Sequence, residues 1–479
     1  MQNPAFEHVI DDAQPTGLTS LRISKVEPHG LLLVALKRAR TCNLADRPQN
    51  SGMTAFFRQG RAIVAVILGM IGAGATAFPS GAAEVAISCG AVGVEFELCR
   101  SGAEAWARQS GHQVKVVTAP NDSNERLALY QQLLAAESPD IDVFQIDVIW
   151  PGILAKQFID LKPYTNGAEG EHLDFLVKND TIDGALKALP WFLDLGVLYY
   201  RTDLLAAYGA RPPKTWAELT ETARRIQEAE REKGNTRLWG FVWQGRAYEG
   251  LTCNALEWLA SQNGGRIVDA GGAVTVSNPT AVRALELAAN WVGTITPTGV
   301  LNYAEEDARG LFQSGHAVFM RNWPYAWSLG QGSDSPVRGK VAIAPLPAGE
   351  QGTASAALGG WQLAVSRYSK NPAAAASLVL YLTSAAEEKR RAIAGSFNPT
   401  REALYRDPEI LAANPLFSRL EPLLKSAVAR PSNVLGPSYN RVSTEFWQAV
   451  HAVLAREEEA KPALERLQAR LERLRQRGW

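Results

Sequence analysis

Histidine and cysteine are scarce in this sequence, with six and four copies among 479 residues. His112, His172, His316 and His451 stand apart without paired spacing and no Cys-x-x-Cys occurs, which removes the common metal-ligand patterns. There is no Gly-x-Ser-x-Gly elbow and no glycine-rich loop ending in Lys-Ser/Thr, so the usual serine-hydrolase and phosphate-cradle signatures are missing. No cofactor is expected. Charge of one sign is lacking as well: 49 basic residues balance 49 acidic ones, spread along the chain. A nucleic-acid partner would need a basic face, and none is indicated.

Long apolar runs are missing too, with one exception. Ala62–Ala77 reads AIVAVILGMIGAGATA, after Arg58 and Arg61 and before the small residues Ser80 to Ala83. A basic flank, a short apolar run and a small-residue exit describe a secretory signal peptide, and the run is too short for a comfortable membrane span. Residues 53–83 are therefore expected to be a signal peptide starting at Met53, with the mature chain beginning near Glu84. Residues 1–52 read as an upstream extension without packed structure, since they show little periodicity and scattered turn residues. Cys42 falls there, leaving Cys89, Cys99 and Cys253; three thiols leave at least one unpaired within the chain, and a Cys89–Cys99 bridge stays open.

What is present is an α/β alternation. Val85–Cys89, Val114–Val117 and Ile141–Ile146 read as strands, with helices over Glu97–Gln109 and Arg126–Ala136 between them, which implies a parallel sheet. Ligands in such sheets bind beyond the C-terminal strand ends, where Asp147 and the 90–97 loop fall. An apolar run, Trp191–Tyr200, contains Asp194 and Gly196; a carboxylate there must be paired, hydrogen-bonded or functional. Helices are expected over 216–233, 255–263 and 279–292, the last capped by Asn278, and after Asn371-Pro372. Strands are expected at Phe312–Met320, Val341–Ala344 and Leu363–Ser366. The helix from Pro462 to Arg477 reads as a solvated surface helix, too brief for a coiled coil.

The 13 tryptophans all lie after residue 100, and three large aromatics crowd into Arg321–Trp327, Arg-Asn-Trp-Pro-Tyr-Ala-Trp. Pro324 keeps that stretch out of a helix interior or a central strand, so it sits at an element boundary. Apolar ring faces beside an arginine and an asparagine suit a pyranose, whose C–H face stacks on indole while its hydroxyls need polar partners; a core cluster explains the rings equally well. Glu95, Asp147 and Asp194 lie at strand ends and can accept from sugar hydroxyls. They can equally be the paired carboxylates of a secreted glycosidase or lyase. Arg126 follows a polar turn, and Arg430 precedes Pro431 on an extended segment, placing both guanidinium groups where they can fork hydroxyls.

Several blocks together resemble the extracellular solute-binding proteins of ABC sugar importers, in particular the trehalose/maltose-binding branch. They are Ser138–Asp147, Leu189–Asp194 with Tyr199-Tyr200, Gly240–Gly245 with Tyr248-Glu-Gly250, Arg321–Trp327 and Leu358-Gly-Gly-Trp361. The resemblance spans nearly all of 84–479. It implies an α/β, two-lobed periplasmic-binding-protein fold with a multi-crossing hinge, lobe I being 84–193 plus 345–398 and lobe II 194–344 plus 399–479. It further implies a periplasmic, non-catalytic and monomeric receptor that closes on an α-glucoside disaccharide and passes it to the transmembrane subunits of an ABC permease. The sugar-binding positions it implies are Glu95 (with Glu97 as the alternative), Arg126, Asp147, Asp194, Trp323, Gly360, Trp361 and Arg430. Phe192 stands where the family has a tyrosine, keeping the ring and losing the hydroxyl. Tyr325 and Glu249 are further candidates from their motifs. Trp323 and Trp361 are expected to stack on the ligand from opposite lobes, with Trp327 behind them.

Overall fold

The computed structural model describes residues 81–479 apart from 416, 419–423 and 425–426. The expected extension at 1–52 and the expected signal peptide at 53–83, save residues 81–83, lie outside the described residues.

β1 (Glu84–Cys89), β2 (Gln113–Thr118) and β3 (Val143–Asp147) run parallel with β1 in the middle, as the alternation requires. α1 (Glu95–Ser110) and α2 (Ser123–Ala135) make the crossovers, and the Asp122 carboxylate caps α2 by accepting from the Asn124 and Glu125 amides. Cys89, at the end of β1, is disulfide-bonded to Cys99 in α1, while Cys253 is a buried free thiol.

The apolar run at 191–200 splits at Gly196 into β4 (Leu189–Leu195) and β5 (Val197–Arg201), which join different sheets. Any Cβ at 196 would stand 2.0 Å from Glu257 Oε1, so only glycine lets the chain pass there. The other strands of the two larger sheets are β6 (Trp239–Val242), β7 (Ala317–Asn322), β8 (Val341–Ala344), β9 (Ala356–Val365) and β10 (Ala427–Val428). The first sheet has the order β10-β9-β3-β1-β2, with β4 also antiparallel to β9; the second is β8-β5-β7-β6. Part of the 399–479 segment thus returns to the first sheet through β10, which lies parallel to β9.

Between these strands run α3 (Trp216–Glu232), α4 (Glu249–Ser261), α5 (Pro279–Trp291) and α6 (Glu305–Gln313), followed by α7 (Pro372–Leu382), α8 (Ala385–Gly395), α9 (Tyr439–Leu454) and α10 (Ala460–Arg475). Asn278 caps α5 as its sequence position indicates, accepting from the Thr280 and Ala281 amides. Three expectations need correction. Phe312 belongs to α6, because the chain turns at left-handed Gly315 before β7 begins at Ala317. Of the expected Leu363–Ser366 strand, Leu363–Val365 is only the end of the ten-residue β9, whose Gly359-Gly360 pair breaks the apolar pattern. The terminal helix is not merely a solvated one: Leu464, Leu467 and Leu471 are buried, and α10 packs against α9.

Much of the tryptophan content is core. Trp216, Trp243, Trp258 and Trp291 are buried in one aromatic cluster, with Trp243 and Trp258 edge-on at 4.9 Å and Trp216 and Trp291 tilted at 5.4 Å.

Candidate functional site

The C-terminal end of β3, the middle of β4 and the glycine-rich part of β9 meet the start of α4 and the segment after β7 around a cavity with roughly 660 Å³ of empty space. Ten of the eleven expected residues line it: Glu95, Asp147, Phe192, Asp194, Glu249, Trp323, Tyr325, Gly360, Trp361 and Arg430. Glu97 is exposed and paired with Arg100 at 2.5 Å, so Glu95 is the acid at the cavity.

Strand register does most of this assembly. Trp361 of β9 lies opposite Asp147 on one side and Phe192 on the other, and Gly359 lies opposite Asp194. Gly360 has φ +125°, and a Cβ there would stand 2.4 Å from the Phe192 carbonyl oxygen, so only glycine suits this position. At Gly359 a Cβ would meet the Trp323 ring at 3.2 Å; the missing side chain lets that indole approach the strand.

Both tryptophans are backed by a guanidinium. Arg126 Cζ lies 4.2 Å from the Trp361 ring centroid, and Arg321 Cζ lies 3.9 Å from that of Trp323. Arg126 is wholly buried and does not line the cavity; its Nε donates to the Pro120 carbonyl, and Nη1 and Nη2 have no hydrogen-bond partner among the described residues. Trp150 meets the Trp361 indole edge-on at 5.6 Å. Arg321 is not a free donor beside the rings, as the motif first suggests. It donates to both oxygens of buried Glu257, at 2.9 and 2.5 Å, and to Gln244 Oε1 at 3.0 Å. Asn322 likewise turns inward, accepting from the Trp323 amide and donating to the Glu305 carbonyl. The Tyr325 hydroxyl donates to Glu306 at 2.6 Å, so its ring, more than its oxygen, is left for the cavity.

The acids differ in how far they are already satisfied. Asp147 Oδ1 accepts from Arg430 Nη2 at 2.8 Å and from the Ile149 amide at 3.2 Å. Glu95 Oε1 accepts from Gln145, which in turn accepts from the Gly90 amide. Asp194 stands apart because its Oδ1 is buried without a partner. Burial, and then the neighbouring carboxylates of Glu95 and Asp147, push the Asp194 carboxyl well above the usual carboxylate range. A buried carboxyl oxygen left in this way carries a desolvation penalty that a polar partner reaching the cavity would relieve.

Sequence reading missed Tyr248, Glu305 and Phe397 in the lining. Glu305 accepts from Tyr248 at 2.7 Å and from the Trp323 indole at 3.3 Å, a role set by how α6 packs and carried by no local motif. Among the described residues, no group of three or more His, Cys, Asp or Glu could hold a metal ion, and no helix is long and apolar enough to cross a membrane.

Residues 100–389 match the family model described as bacterial extracellular solute-binding protein. A probable ABC transporter-binding protein of Deinococcus radiodurans is 49% identical over 417 residues, 87% of this chain and 99% of that protein. Among solved structures, the maltose-bound MalE3 of T. maritima superposes with a TM-score of 0.78 at 40% identity, over 82% of this chain and all (100%) of that one. The GacH receptor of Streptomyces glaucescens, solved unliganded and with acarbose, gives a TM-score of 0.73 at 25% identity, over 82% and 98% of the two chains. These relatives are binding proteins, which overturns the reading of Glu95, Asp147 and Asp194 as glycosidase or lyase carboxylates. The chain belongs to the bacterial extracellular solute-binding proteins, the exported, non-enzymatic substrate-binding components of ABC transporters, and has their two-lobed α/β fold.

Proposed function

We propose that this protein is a periplasmic receptor that captures an α-glucoside disaccharide of trehalose or maltose type between its lobes. It delivers the sugar, as a monomer, to the transmembrane subunits of its permease. The observation that carries this reading is the pairing of Trp323, which follows β7 of one sheet, with Trp361, in β9 of the other, across a cavity edged by Asp147, Asp194 and Arg430. Two indoles offer stacking faces for pyranose rings. The carboxylates accept from hydroxyls that closure strips of water, where an unpaired polar group costs ~1–3 kcal/mol. Maltose in the 40% identical T. maritima structure supports the same ligand class.

In this reading the lobes are 84–193 plus 345–398 and 194–344 plus 399–479, except where β10 crosses back to the first sheet, and closure is a population shift driven by a ligand that touches both. Phe192 offers a ring without a hydroxyl, so the preferred disaccharide is one that needs no phenol at that position. Export follows from cleavage near Ala83. Calorimetric titration with trehalose, maltose and sucrose, together with an assay for released glucose, tests the proposal. Tight binding of at least one sugar without glucose release is expected, and failure to bind any of the three would overturn it.

A further inference from the structure

Glu249 lines the cavity, yet both of its carboxylate oxygens already accept from the protein. Oε1 accepts from Arg430 Nη1 at 2.9 Å and from the Tyr439 hydroxyl at 2.5 Å, and Oε2 accepts from Ser443 Oγ at 2.6 Å. Its backbone amide is engaged as well, donating to Asn124 Oδ1 at 3.1 Å. The guanidinium it holds reaches Asp147 with the other arm, Nη2 to Oδ1 at 2.8 Å. Side-chain exposure is 3% for Arg430 and 6% for Glu249, so bulk water competes little for these bonds.

The supporting residues come from two packed helices. Glu249 is the first residue of α4, and Tyr439 and Ser443 sit on α9, which packs against α4; Ser443 also shares a hydrogen bond with Thr252 of α4 at 2.8 Å. Asp147 is the last residue of β3. Arg430 follows β10 and has little secondary structure of its own to fix its side chain. With each Nη arm drawn to a different carboxylate, its plane and position are set. The fork drawn from sequence, two arms for two sugar hydroxyls, is therefore already taken, and Nε is left buried without a partner.

We propose that Glu249, supported by Tyr439 and Ser443, is a positioning residue: it holds Arg430 against Asp147 so that Asp147 Oδ2 and the remaining Arg430 donors meet the ligand in a fixed geometry, and it does not bind the ligand itself. The inference rests on the α-glucoside reading of the cavity for its ligand.

The test is a double-mutant cycle on the full protein, titrated with trehalose and maltose. Glu249→Gln is expected to weaken affinity about tenfold, and Tyr439→Phe about threefold, through a less firmly held guanidinium. In an Arg430→Lys background, where one ammonium replaces the planar two-armed fork that Glu249 orients, adding Glu249→Gln is expected to change affinity by less than about twofold. Wild-type affinity in Glu249→Gln, or penalties that multiply independently, would overturn the inference; the second result would make Glu249 a direct sugar contact. Thermal unfolding of the ligand-free single and double variants reads the same coupling without any sugar. Non-additive shifts are expected, and additive ones overturn the tether whatever the ligand is. If the wild type binds none of the sugars, the α-glucoside reading falls while the unfolding cycle still decides the tether.

Discussion

Asp194 carries a conflict between folding and binding. Its folded-state pKa is raised by burial and by two neighbouring carboxylates, so the folded protein holds this proton more tightly than the unfolded chain does. Stability from this group therefore falls as pH rises from the ordinary carboxylate pKa through the raised one. Asp194→Asn removes the penalty, and its thermal midpoint at neutral pH is expected to rise by on the order of 1–3 °C while sugar affinity drops at least about tenfold. A midpoint below the wild type would show that the buried carboxylate has a protein partner. Trp361→Ala behaves differently. The indole packs on Trp150 and Arg126 while lining the cavity, so its loss is expected to cost about 2 kcal/mol in denaturant unfolding, below the ~3–5 for a fully buried tryptophan, and to abolish measurable binding. Trp361→Phe should recover part of both. Arginine roles were the least legible at this scale. A guanidinium near the site can contact ligand, brace an aromatic or neutralise an acid, and only packing assigned Arg126 and Arg321 to the backs of the two indoles.

Secondary elements were legible where periodicity and caps act locally. β1 to β3, the two helices between them and α5 with its Asn278 cap emerge near their expected bounds. The apolar run at 191–200 was visible too, but not its division, because alternation does not say which sheet a strand joins. Gly196 decides it by leaving room for the Arg321–Glu257 pair. Gly196→Ala is accordingly expected to displace Glu257, strand a buried arginine and cost about 3 kcal/mol in denaturant unfolding. A cost below about 1 kcal/mol would mean that Glu257 has room to move aside. β9 shows the opposite failure: Gly359-Gly360 breaks the apolar pattern, yet it is strand interior where side chains are excluded by Phe192, Asp194 and Trp323.

At the scale of the molecule, a buried cluster away from the cavity couples stability to pH. His172 accepts or donates at Thr400 Oγ1 at 2.7 Å, beside Glu388 and Arg401, and burial together with Arg401 lowers its pKa to about 3. Between that value and the unfolded ~6.5 the unfolded chain binds more protons, so this contribution is present above pH ~6.5 and is lost as pH falls toward 3, up to about 5 kcal/mol. Glu388, pushed up to about 7 by burial, acts oppositely, costing stability as pH rises from ~4.5 to that value. His172→Gln is expected to lose less stability than the wild type between pH ~6.5 and 4 in thermal unfolding; an equal loss would assign acid lability elsewhere. The same division between local and distant causes runs through the whole protein. By itself the sequence determined the α/β alternation, the helix caps and the motif blocks that carry the family resemblance, because propensity, capping and periodicity act over a few residues. Tertiary structure alone decided that Gly196 parts the two sheets, that Glu305 reaches the cavity, that α10 buries its leucines and that Asp147 and Glu249 share one arginine, because each depends on segments far apart in the chain being brought within bonding distance.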